Sequence, residues 1–100
     1  MGFQIFYKIF FMKISVELFG AARELSNNSH LDFDLIENSS IKDLRNHMIN
    51  FIDLNFKGNE TFKKIIESSA FCSSDDKIVS DNYKIVKKQN FSIIPPIGGG

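Results

Sequence analysis

The run Phe91-Ser92-Ile93-Ile94 leads directly into Pro95-Pro96, and this junction constrains the fold more than any other stretch of the chain. A short segment rich in apolar and β-branched residues reads as a strand. Proline has a fixed φ and no N–H donor, so the two prolines end that strand and send the chain out extended. The residue ahead of a proline is held extended as well, which makes Ile94-Pro95-Pro96 a stiff base. The strand must therefore find its hydrogen-bonding partners among the segments before it. Beyond the prolines stand Ile97-Gly98-Gly99-Gly100. Glycines bury no side chain and lose the most backbone freedom on ordering, so this tip cannot stabilise a packed domain. It is expected to form a thin tail whose carboxylate reaches into another protein's narrow active site.

The partners for that strand are legible in the periodicity. From Lys13 the chain alternates, with Ile14, Val16 and Leu18 on one face and Ser15, Glu17 and Phe19 on the other. That is a half-buried strand. Gly20-Ala21-Ala22-Arg23-Glu24-Leu25 breaks the period, and Ser26-Asn27-Asn28-Ser29 is turn chemistry. A second run places Leu31, Phe33 and Leu35 inward and His30, Asp32 and Asp34 outward, so the two runs read as a hairpin. Ser40 followed by Asp43 resembles a capping box. Ile41, Leu44, Met48, Phe51 and Ile52 then recur at helical spacing.

Gly58-Asn59 stops that helix, and Phe62, Ile65 and Ile66 predict a shorter second one ending at Ser68-Ser69. Ala70-Phe71-Cys72 and Lys77-Ile78-Val79 are short strand candidates around Ser73-Ser74-Asp75-Asp76. This order predicts an α+β domain: a small mixed sheet, one main helix packed across it and a flexible C-terminal tail. With the helix as crossover, the last strand can pair in parallel with the first. That layout is the β-grasp, or ubiquitin-like, fold.

A chain of 100 residues makes one domain with a single modest core. Lys plus Arg and Asp plus Glu balance at 12 each, and no block of like charge exceeds Lys87-Lys88. The electrostatic footprint of a nucleic-acid binder is therefore missing. The eleven phenylalanines and absent tryptophan predict a Phe/Ile core. A lone Cys72 forbids an internal disulfide and fits a reducing compartment, so a cytoplasmic protein is expected.

Residues 1–11 are crowded with Phe and Ile, yet Lys8 and Lys13 interrupt the run and no Lys or Arg precedes it. That is not the order of a signal peptide, and the run falls short of the roughly 20 apolar residues of a membrane span. No membrane partner is expected. Met12 opens a clean strand, so the chain divides into an apolar leader (1–11), the domain (12–94) and the tail (95–100). The leader is expected to be an aggregation liability or an added edge strand.

Several residues outside the tail invite a functional reading. Cys72 sits between apolar neighbours with no His nearby and reads as a core thiol rather than a nucleophile. His30 and His47 lack a ligand-spaced partner, and Asp32 and Asp34 read as solvating charges. Gly98-Gly99-Gly100 is no phosphate loop, because no helix follows it. No clustered acid, base or nucleophile marks a self-contained enzyme. Strand parity leaves Phe19 and Ile94 on the face opposite the core residues Phe91 and Ile93. If the first and last strands are neighbours, these two form an exposed apolar patch that Ile78 extends. Such patches commonly mark interfaces, and cover of this one by the leader is the alternative.

Taken with the strand order, Leu18-Phe19, Gly20-Ala21-Ala22-Arg23-Glu24-Leu25, the Leu44 helix and Ile93-Ile94-Pro95-Pro96-Ile97-Gly98-Gly99-Gly100 carry a resemblance. From about Met12 onward the chain resembles the small sulfur-carrying subunit of molybdopterin synthase, the MoaD type of the ThiS/MoaD ubiquitin-like family. Gly98 stands at a variable position of that family's ending, so the resemblance makes Gly99-Gly100 the functional pair. It implies that the Gly100 carboxylate is adenylated with ATP by a ubiquitin-activating-like partner (MoeB type). A sulfur donor would then convert it to a thiocarboxylate. The sulfur would be given to a cyclic pyranopterin precursor within the large subunit (MoaE type), in a heterotetrameric synthase that makes molybdopterin for the molybdenum cofactor. ATP belongs to the partner, and no permanently bound cofactor is implied.

The resemblance also puts Phe19, Ile78 and Ile94 on the partner-facing side, and Arg23 is either a plain surface charge or a contact to the activating enzyme. The chain departs from the family at Lys87-Lys88-Gln89-Asn90, where an acidic, glycine-containing turn is usual. There Asn90 is the expected left-handed residue. The polar Ser73-Ser74-Asp75-Asp76 is a second departure. Alternatives are a thiamine-pathway sulfur carrier, a ubiquitin-like modifier joined to lysines, or a non-reactive β-grasp interaction module.

Overall fold

The computed structural model describes residues 11–96. Strand β1 (Phe11–Leu18) opens one residue before Met12, because Phe11 pairs with Ile36 at the end of β2 (His30–Ile36). The hairpin is antiparallel, with Ile14 opposite Phe33 and Val16 opposite Leu31. The stretch Gly20–Leu25 that breaks the alternation is a 3-10 helix, which buries Ala22 and Leu25.

Helix α1 (Ile41–Asn55) starts where the sequence predicts, and both arms of the capping box are made. The Asp43 N–H donates to Ser40 Oγ at 3.2 Å, and the Ser40 N–H donates to Asp43 Oδ2 at 2.8 Å. The bond from the Ser40 backbone favours the ionised form and holds the Asp43 carboxyl below its ordinary range. Helix α2 (Glu60–Ser68) is capped by Asn59, whose Oδ1 accepts from the Phe62 N–H at 3.0 Å. Strands β3 (Ala70–Ser73) and β4 (Ile78–Val79) form a second antiparallel pair.

Strand β5 (Asn90–Ile94) closes the sheet by inserting between β1 and β3, parallel to the first and antiparallel to the second. The order β2-β1-β5-β3-β4, with α1 across one face, is the β-grasp arrangement. Its core packs Ile14, Val16, Leu18, Phe71, Phe91 and Ile93 of the sheet against Leu44, Met48, Ile52 and Ile66 of the helices, all buried. Each such side chain contributes about 1.5–3 kcal/mol on leaving water.

One expectation fails locally. Asn90 is an ordinary strand residue; the left-handed non-glycine residues are Asn38, Lys57 and Asp76. Asp76 takes that conformation in the β3–β4 turn, where its N–H donates to the Ser73 carbonyl at 2.9 Å. An Asp tolerates such a turn position because its short polar side chain can bond locally. The stretch 80–89 forms no ladder with the sheet and instead wraps the start of α1. The Ile41 and Lys42 N–H groups donate to the carbonyls of Tyr83 and Asp81, at 3.0 and 3.1 Å. Two of the donors that a helix start leaves unpaired are thus satisfied. The same wrap buries Ile85 completely, a core residue that no periodicity announces.

Candidate functional site

The last rung of the parallel ladder pairs Leu18 with Ile93, both buried. One residue further along each strand, Phe19 and Ile94 stand abreast on the opposite face. They remain exposed, at 43% and 39%. Ile94 also pairs with Ala70, while Cys72 lies between Ser92 and Ile78, which is 74% exposed. The geometry therefore brings Phe19, Ile94 and Ala70 into one row across three strands, with Cys72 and Ile78 one step away. This is the patch that strand parity predicts. Cys72 belongs to it: the alternation along β3 buries Phe71 and Ser73 and leaves the thiol half-exposed, so it is not a core thiol.

Between this row and the exposed Phe11–Ile36 pair at its far end, that outer face is polar. Ser15, Glu17 and Ser92 occupy its middle, and Asp32 lies 3.9 Å from Lys13 Nζ and 3.8 Å from His30 Nε2. Asp32 and Asp34 are exposed, in keeping with solvating charges. His47 is on α1, edge-on to Phe33 with ring centroids 6.4 Å apart, and does not join His30. Among the described residues, no three His, Cys, Asp or Glu side chains gather closely enough to hold a metal ion, and no helix is long and apolar enough to cross a membrane.

The tail leaves beside the apolar row. Pro95 is half-buried and Pro96 exposed. Ile97, Gly98, Gly99 and Gly100 lie outside the described residues, as do residues 1–10 of the leader. Arg23 is exposed on the 3-10 helix and makes no ion pair among the described residues. It stands four residues after Phe19.

Sequence reasoning passed over Arg45. Its Nη1 donates to the carbonyls of Ile66 at 2.7 Å and Ser69 at 2.8 Å, and Nη2 pairs with Asp81 Oδ1 at 2.7 Å. The guanidinium also lies 4.9 Å from the Phe71 ring centroid. It thus supplies the cation that the carbonyl end of α2 favours. Its Nε, buried with no partner, is the one blemish in this cluster. The only sequence signal is position: Arg45 directly follows buried Leu44, on the flank of the apolar stripe.

In sequence the chain matches no protein-family model and no curated protein. In structure it is similar to a putative molybdopterin converting factor, subunit 1, from Pyrococcus furiosus, with TM-score 0.61 and 19% identity over 86% of this chain and 99% of that one. Small archaeal modifier protein 1 of Haloferax volcanii superposes with TM-score 0.64 at 10% identity, covering 86% of this chain and 99% of its own. A Caldiarchaeum subterraneum ubiquitin gives TM-score 0.56 at 14% identity, over 90% and 99% of the two chains. At these identities the likeness is one of fold, and the fold is ubiquitin-like.

Proposed function

We propose that the chain is a sulfur carrier of the MoaD type, serving molybdopterin synthesis through a thiocarboxylate on Gly100. The observation that carries this reading is the exposed row of Phe19 and Ile94 at the root of Pro95-Pro96. A docking surface set beside the point where the tail departs suits a protein that is held by a partner while its end is worked upon. A fold shared with a putative molybdopterin converting factor subunit supports the same reading.

The chemistry follows from the weakness of a carboxylate as an electrophile. One Gly100 oxygen attacks the α-phosphorus of ATP and expels pyrophosphate, giving an acyl-adenylate. Sulfur at the sulfide level then attacks the carbonyl carbon and expels AMP. The thiocarboxylate is ionised at neutral pH and is the nucleophile that passes sulfur on to the pyranopterin precursor; water restores the carboxylate. The activating partner supplies the catalytic groups, and the chain supplies Gly99-Gly100, which have no side chains to bar a narrow channel. The large subunit and the activating enzyme are proposed to dock in turn on Phe19, Ile94 and Ile78, with Arg23 at the margin.

Intact-mass measurement after incubation with ATP, a sulfur donor and a MoeB-type enzyme tests this. The expected result is a mass gain equal to sulfur replacing oxygen, absent when Gly100 is deleted or Gly99 is changed to Val. A normal gain on the Gly100 deletion would overturn it. The likeness to an archaeal modifier protein favours one second reading, conjugation to lysines. Isopeptide-linked products in place of the thiocarboxylate would establish it. A non-reactive interaction module would keep its binding partners with Gly100 capped by a short tag.

A further inference from the structure

The ladder between β1 and β5 ends after Leu18 and Ile93, and it is ended from both strands at one level. Two residues beyond that rung, Gly20 comes abreast of Pro95. Pro95 has no N–H to continue the ladder. Gly20 turns off the sheet with φ 55°, a left-handed value that only glycine adopts freely, and begins the 3-10 helix. The two residues nevertheless stay in touch. A Cβ on Gly20 would lie 3.7 Å from Pro95 Cγ and 3.9 Å from Cδ, so the pyrrolidine ring covers the bare side of the glycine. The glycine's side of this contact is anchored: the Ala22 N–H donates to the Phe19 carbonyl at 3.1 Å, and Ala22 and Leu25 are buried.

We infer that Gly20 is a positioning residue for the tail: it seats the Pro95 ring and thereby sets the direction in which Pro96 and the residues after it leave the domain. Phe19 and Ile94 decide where a partner docks; the Gly20–Pro95 seat decides where the tail then points. The functional consequence rests on the sulfur-carrier reading, whereas the seat itself does not. Five residues drawn out in a partner's channel span about 16 Å. A tilt of about 4° at Pro95 thus moves the far end of that span by about 1 Å, and a misplacement of that size can cost about a hundredfold in rate.

Three substitutions separate the seat from backbone strain. Gly20→Ala carries the strain of a left-handed alanine, but its methyl fits beneath the ring at ordinary contact distance. Gly20→Val adds two γ-methyl groups, which fill two of the three staggered positions on Cβ and are expected to crowd the ring. Gly20→Asn is expected to crowd it too, and asparagine tolerates the left-handed conformation, so it serves if the valine variant fails to fold. Two readouts are taken on the full chain: the nuclear Overhauser contact of the Pro95 ring with residue 20 (the α-protons of the glycine, or the β-protons of the side chain that replaces one of them), and ATP–pyrophosphate exchange with a MoeB-type enzyme.

Gly20→Ala is expected to keep the contact and the kcat. Gly20→Val and Gly20→Asn are expected to lose the contact and about tenfold or more in kcat, with KM for the carrier within about twofold, since the docking row is intact. A contact that persists in the valine and asparagine variants overturns the inference, and so does a kcat equal to that of Gly20→Ala once the contact is gone. If the unaltered chain is not adenylated at all, the sulfur-carrier reading fails. The Overhauser contact still decides whether Gly20 seats Pro95.

Discussion

The two ends of α1's neighbourhood and of the sheet it covers treat their exposed chemistry in opposite ways. Around the start of α1 most of the polar groups are paired internally. Ser40 and Asp43 cap one another, Tyr83 and Asp81 accept from the first helical N–H groups, and Arg45 ties α2 to Asp81. At the exit of β1 and β5, by contrast, Phe19 and Ile94 stay exposed although the residues just before them, Leu18 and Ile93, are buried, and Ile78 of β4 is exposed as well. A region closed on itself contributes stability. A region that leaves apolar area in water forgoes stability and keeps it available for association.

The sharpest way to break this contrast is Arg45→Ala. It leaves the carbonyls of Ile66 and Ser69 without their charged donor, and is expected to cost about 3 kcal/mol, the scale of lost charge-assisted bonds. For a domain of this size that lowers the melting temperature by about 12–24 °C. Affinity for the proposed large-subunit partner, measured on the folded variant by calorimetry, should not change. Phe19→Asp and Ile94→Asp should behave in the reverse way, weakening that binding by about 2–4 kcal/mol, as for a central apolar anchor. Thermal melting should move little. Unchanged affinity in both variants would place the docking face elsewhere.

A smaller effect is expected at the helix cap, and it carries a sign. The Asp43 carboxyl is held below its ordinary range by the Ser40 N–H. Its stabilising contribution is therefore present above the unfolded-state value and is lost as pH falls through the lower folded-state value. Asp43→Ala should cost about 1 kcal/mol at neutral pH. The gap between variant and parent should close on acidification below about pH 4, followed by denaturant titration at each pH. A gap that stays constant with pH would mean the carboxylate is not what holds the cap.

The smallest effect belongs to the far end of the outer face. Starting the chain at Met12 removes the leader and the exposed Phe11–Ile36 rung, about 0.5 kcal/mol of cross-strand contact. Melting should remain cooperative and solubility should rise. Loss of the cooperative transition would mean that the domain needs more of the leader than the Phe11 rung.

How much of this was legible in advance follows from the range of the interactions involved. Periods of two and of 3.6 residues are local, so both hairpin strands, both helices and the Ser40–Asp43 cap could be read directly. Strand parity carried Phe19 and Ile94 to the outer face for the same reason. Arg45 and Ile85 were not legible, because their partners lie 21 to 47 residues away and no local period points to them. Cys72 was misread because apolar neighbours in sequence do not reveal which face of a strand a side chain takes.

By itself, then, the chain's sequence determined the elements, the parallel return of the last strand and the prolines that stop it, all through local backbone preference and periodicity. Only the tertiary structure decided that Gly20 meets Pro95, that Cys72 joins the apolar row, and that 80–89 wraps α1 instead of joining the sheet. Those outcomes depend on which surfaces meet once the core excludes water, and burial of that kind is a property of the assembled fold.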